Sequence, residues 1–192
     1  GSISTGAGAD SVSFTDATIG SSGQTLSLGS DSNSLDGNDT LSGSNAAITG
    51  NITTGSGADS LTLTSGSSIA GNVSLGTAGD STNGNADTLS LNASTITGNV
   101  TTGSGADTVT LTNTSTITGN VTLGSNTDST DGNDSLSVSG ASGSSLSVIT
   151  GSISTGAGAD SVSFTDATIG SSGQTLSLGS DSNSLDGNDT LS

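Results

Sequence analysis

The chain has 192 residues, no Lys, Arg or His, and 17 acidic residues that are all Asp, for a net charge of −17. No protein ion pair can form, so cations must balance the charge. A nucleic-acid partner is excluded because no side chain can neutralise a phosphate. No apolar run is long enough for membrane insertion by a helix, and the absence of Cys excludes disulfides.

Residues 1–42 recur unchanged as 151–192. The chain therefore reads as one continuous segment, 1–192. It holds one full repeat, 1–150, and the start of the next, 151–192. Within the repeat, coils begin at Gly1, Gly20, Gly50, Gly71, Gly98 and Gly119, with lengths 19, 30, 21, 27, 21 and 32. Short and long coils alternate.

The first coil carries Asp10, then the alternating pair Val12/Phe14, then Ile19. The second adds Asp31 and Asp36 ahead of Asp39 and closes on Ile48. The third opens with Asn51 and carries Asp59, Leu61/Leu63 and Ile69. The fourth opens with Asn72, places Asp80 ahead of Asp87, and continues with Leu89/Leu91 and Ile96. The fifth carries Asn99, Asp107, Val109/Leu111 and Ile117. The sixth carries Asn120, then Asp128 and Asp131 ahead of Asp134, then Leu136/Val138 and Ile149. The next copy brings Asp160, and then Asp181 and Asp186 ahead of Asp189.

Strict apolar/polar alternation is the signature of a half-buried strand. A single coil cannot bury such a face, but stacked coils can, with like residues about 4.8 Å apart. The predicted fold is all-β: a right-handed parallel β-solenoid of about eight coils of 19–32 residues, with no helix. The extra residues of the long coils are expected before Gly-Asn-Asp, as loops along one edge. The aligned Asn residues read either as a ladder of side-chain amides or as simple turn pairs.

Stacking sets Asp10, Asp39, Asp59, Asp87, Asp107, Asp134, Asp160 and Asp189 in one column roughly 5 Å apart. Carboxylates at that spacing either splay into water or share cations. Calcium suits them, since it takes six to eight oxygens in flexible geometry. Asp31, Asp36, Asp80, Asp128, Asp131, Asp181 and Asp186 add ligands from the long loops. Asp, Gly and Asn are also ordinary turn formers, which is the competing reading.

The motif Gly-x-Gly-x-Asp-x-apolar-x at Gly6–Ser13, Gly55–Thr62, Gly103–Thr110 and Gly156–Ser163 resembles the RTX repeat. So does Gly-Asn-Asp-x-Leu at Gly37–Leu41, Gly132–Leu136 and Gly187–Leu191. That resemblance implies a parallel β-roll with Ca2+ held by the Asp carboxylates and Gly-rich turns. It also implies secretion and folding on meeting extracellular calcium. The chain departs from the RTX pattern in having one motif per coil and no leading Gly-Gly. A broader resemblance links it to Ser/Thr/Gly/Asn/Asp-rich surface adhesins and filament proteins.

The expected function is therefore an extracellular, cell-surface structural protein: a calcium-stabilised filament, surface layer or adhesin stalk. End-to-end or lateral self-association and contact with a cell surface or polysaccharide are the expected partners. Catalysis is not expected, because no His or Lys is present to activate a Ser. Ice binding through outward Thr-x-Thr pairs such as Thr62/Thr64 and Thr108/Thr110 is the alternative.

Overall fold

The computed structural model describes residues 2–29, 36–76, 84–125, 129–143, 145–179 and 187–192. These residues form a parallel β-solenoid with no helix. Two sheets face each other, one of 8 strands and one of 13 among the described residues. The 8-stranded sheet takes one alternating segment from each coil, from Ser11–Thr15 through Thr108–Thr112 to Thr190–Leu191.

The 13-stranded sheet takes two segments per coil. Thr18–Ser27 and Ala47–Thr53 run continuously through both. In later coils the chain breaks between them, as with Thr95–Ile96 and Val100–Thr101. The break falls at a glycine column. A Cβ on Gly98 would collide with the backbone of Gly71, and one on Gly119 with that of Gly98. The coils approach too closely at this bend for any side chain.

Register is kept from coil to coil. One core column runs Val12, Leu41, Leu61, Leu89, Val109, Leu136, Val162, Leu191. A second runs Ile19, Ile48, Ile69, Ile96, Ile117, Ile149, Ile169, the late-Ile position of each coil. A third runs Ile3, Leu26, Ile52, Val73, Val100, Val121, Ile153, Leu176. Phe14 is in register with Gly43, so the largest apolar side chain faces the smallest residue in its column. Interior members of these columns, such as Leu61, Val100 and Ile117, are fully buried. Each contributes about 1.5–3 kcal/mol.

The identical stretches pair in the same register. Val162 pairs with Leu191 as Val12 pairs with Leu41, and Ile153 pairs with Leu176 as Ile3 pairs with Leu26. The seam between the copies at 150/151 is crossed by ordinary ladder pairing, Val121 to Ile153 and Leu136 to Val162.

One expectation is corrected. The extra residues of the long coils do not all fall before Gly-Asn-Asp. In the sixth coil, extra residues also fall between the strands Ser135–Ser139 and Ser147–Ile149, where Ala141 and Ser145 form an antiparallel bridge. In the second coil, register shifts between Gly20 and Thr25. Both sites begin uncharged stretches rich in Gly and Ser, where no large apolar side chain holds the chain against the core.

Candidate metal corner

The Asp column forms, but its geometry differs from a row of outward corners. Asp39, Asp59, Asp87, Asp107, Asp134 and Asp160 are each at most 3% exposed. Each Oδ1 accepts the backbone N–H of the Asp one coil earlier. The bonds run Asp10 N–H to Asp39, Asp39 to Asp59, Asp59 to Asp87, Asp87 to Asp107, Asp107 to Asp134, Asp134 to Asp160, and Asp160 to Asp189, at 2.7–2.9 Å. The carboxylates neither splay into water nor face one another. They cap the backbone at the point where the Gly-rich turn enters the strand.

This bond uses one oxygen of each pair. Asp39 Oδ2 and Asp134 Oδ2 are buried with no hydrogen-bond partner. Asp107 Oδ2 is instead met by the Thr102 hydroxyl. Burial pushes Asp87 and Asp134 up to about 9, opposed by the single N–H bond each accepts and reinforced by neighbouring Asp charges. Burial likewise raises Asp39 and Asp107 to about 6. A bare carboxylate here is poorly solvated, and a proton or a cation would offset that cost.

Two loop carboxylates join the corner. Asp131 Oδ2 accepts N–H bonds from Ser125 (2.9 Å) and from Ala157 of the next coil (2.8 Å). It fills the space that a Cβ on Gly124 or Gly156 would need. Its Oδ1 is buried without a partner, and burial raises its pKa to about 6. Asp36 occupies the same place in the second coil, against Gly29 and the Ser56 N–H. Asp31, Asp80, Asp128, Asp181 and Asp186 lie outside the described residues.

Among the described residues, no three acidic side chains gather to hold a metal by themselves. A cation here draws on one or two carboxylates together with hydroxyls and turn carbonyls. The residues fit that role, because Asp39, Asp131 and Asp134 each keep a buried oxygen with nothing bound to it.

Sequence reading missed a buried Thr column. Thr54, Thr102 and Thr155 stand five residues before the Asp of each short coil and are fully buried. Thr5 and Thr54 donate to the carbonyls of Leu28 and Leu75 in the next coil, and the Thr102 hydroxyl lies within reach of both the Leu123 carbonyl and Asp107 Oδ2, with one proton to give. The signal was present as an unvarying Thr before each Gly-x-Gly-Ala-Asp.

Sequence reading also missed a Ser ladder beyond the far end of the 8-stranded sheet. There Ser67, Ser115 and Ser147 accept backbone N–H groups from Ala46, Ser94 and Ser115. Each also donates to a carbonyl, of Thr64, Thr112 and Ser139 respectively.

The Asn ladder is real but differs from the amide-to-amide form. Asn51, Asn72, Asn99 and Asn120 each accept, through Oδ1, the backbone N–H of the following coil.

No protein-family model matches this chain, and neither a curated protein nor a solved structure matches it.

Proposed function

We propose that this chain is an extracellular structural solenoid: an RTX-like, calcium-stabilised spacer of the filament, surface-layer or adhesin-stalk type. The reading rests on the seam at 150/151. A second copy of the repeat adds to the first through the same ladder bonds that join coils within one copy, as in Asp134 N–H to Asp160 Oδ1. Reach is then proportional to repeat number. Six coils per repeat, at about 4.8 Å each, give a rise of roughly 29 Å per repeat.

Calcium enters through the surplus oxygens of the Asp corner. When bound, it supplies the positive charge that the chain itself lacks. Asp39 in the second coil, and Asp131 with Asp134 in the sixth, would each contribute to holding such an ion, with turn carbonyls completing the shell. End-to-end self-association is the expected partnership, since each coil presents the same ladder groups to the next.

Small-angle scattering tests the spacer reading. The chain extended by one further 150-residue repeat should lengthen by roughly 29 Å at constant cross-section. Collapse to a thicker particle would end it. Thermal melts by circular dichroism, with calcium and with EDTA, test the ion. An unchanged melting temperature after chelation removes calcium from the structural account.

A second reading, ice binding, draws on the outward face of the 8-stranded sheet. Ser13, Ser42, Thr62, Ser90, Thr110, Ser137 and Ser163 form a straight rank of hydroxyls in register there. Thermal hysteresis at millimolar protein would support it.

A further inference from the structure

The three long-to-short transitions among the described residues are not equivalent at the Asp corner. Aligned on the column Asp, the second and sixth coils read Asp36-Gly-Asn-Asp39 and Asp131-Gly-Asn-Asp134, whereas the fourth reads Gly84-Asn-Ala-Asp87. The fourth coil therefore has glycine, not a carboxylate, at the position of Asp36 and Asp131. Where it meets the fifth, the Thr102 hydroxyl sits on Asp107 Oδ2 and on the Leu123 carbonyl. That corner closes on itself.

The corner where the sixth coil meets the seventh leaves three oxygens over. Asp131 Oδ1, Asp134 Oδ2 and Thr155 Oγ1 are all buried, and none has a hydrogen-bond partner. Asp134 is 2% exposed and Thr155 fully buried. They belong to one place. Asp131 Oδ2 binds the Ala157 N–H and presses on Gly156, the neighbour of Thr155. The Asp134 N–H is held by Asp160 of that same short coil. Thr155 stands five residues before Asp160, as Thr102 stands before Asp107, so its hydroxyl is set at the Asp corner. The Asp131 charge also bears directly on Asp134.

We infer that a calcium site spans the seam between successive repeats, built from Asp131 and Asp134 of one copy and Thr155 of the next. Two anionic oxygens and one neutral oxygen suit a hard divalent cation, with carbonyls and water completing the six to eight ligands. The inference rests on the calcium reading above and narrows it to particular residues. The ion ties one repeat to its successor, while the interior Asp87 corner carries none. The second-to-third corner has the matching pair Asp36/Asp39, but there the Thr54 hydroxyl is committed to the Leu75 carbonyl.

Calorimetric titration of the full chain, stripped with EDTA and titrated with calcium chloride, tests this. Asp131→Asn should bind one ion fewer than the parent. Thr155→Ala should weaken one site about tenfold, the weight of one neutral ligand. Thr155 Oγ1 makes no bond within the protein, so this variant keeps its fold even where Asp131→Asn does not. Asp87→Asn should bind as the parent does. A parent that binds no calcium sinks both this site and the general calcium reading. A parent that binds, with Asp131→Asn and Thr155→Ala both unchanged, overturns the seam site alone. Loss of an ion from Asp87→Asn shows binding along the whole column and likewise overturns it.

Discussion

Two buried corners of this solenoid solve the same problem with different chemistry. At each, a side-chain oxygen accepts the backbone N–H of the preceding coil. The Ser corner does so with a neutral hydroxyl that also donates to a carbonyl, as Ser115 does to Thr112. Every polar atom of that hydroxyl is then used. The Asp corner makes the same backbone bond with Oδ1 but leaves a second oxygen and a charge. Capping alone therefore does not require a carboxylate. The difference teaches that the Asp corner carries a capacity the Ser corner lacks: at Asp39 and Asp134 a buried carboxylate oxygen remains open to a proton or a cation.

The largest expected effect that separates the corners is pH. In EDTA, native Asp87 and Asp134 titrate near 9, and Asp39, Asp107 and Asp131 near 6, against 3.8 as the ordinary value. Between these values the native state binds more protons than the unfolded chain, so stability falls as pH rises. It is fully present below about pH 4 and is lost progressively up to about 9. Asp107 alone corresponds to about 3 kcal/mol, or roughly 10 °C in melting temperature. Calcium should flatten the profile, because it takes the place of the lost protons. Melts from pH 4 to 9 that show no fall in EDTA would erase the distinction between the corners.

Next in size is Asp107→Ala. At pH 5 it leaves the Asp87 N–H buried without an acceptor, at a cost of about 2–3 kcal/mol by denaturant titration. Ser115→Ala makes the matching cut at the neutral corner, exposing the Ser94 N–H, and should cost about 1–2 kcal/mol. Its effect should not change with pH or calcium, whereas that of Asp107→Ala should shrink in EDTA at pH 8. The smallest effect belongs to Asn99→Ala on the exposed ladder, where water replaces the lost acceptor, within about 0.5 kcal/mol.

Much of the fold could be read from the sequence because the core obeys one rule. Apolar residues two apart, as in Val109/Leu111, and a late Ile in each coil fix register wherever one face is buried. The alignment of Asp residues was legible for the same reason. Their inward orientation was not. It depends on a backbone N–H that the Gly-rich turn leaves unpaired, and a sequence does not show which donors a turn frees. The Ser corner was hidden differently. Ser67 and Ser115 sit among many outward Ser and Thr residues, and composition this uniform conceals the few that turn in. The bend at Gly98 was legible as a coil boundary, but not as a place where backbones touch.

The strands lie across the stack, so the hydrogen bonds that join coils point along its length. A pull on the two ends loads these coil-to-coil contacts in series, and each carries the whole force. Adding repeats therefore increases span without changing the breaking load, which the weakest single step sets. An ion bound between Asp131, Asp134 and Thr155 would reinforce the one step that recurs at every repeat boundary, and would let the surrounding salt decide where such a fibre yields.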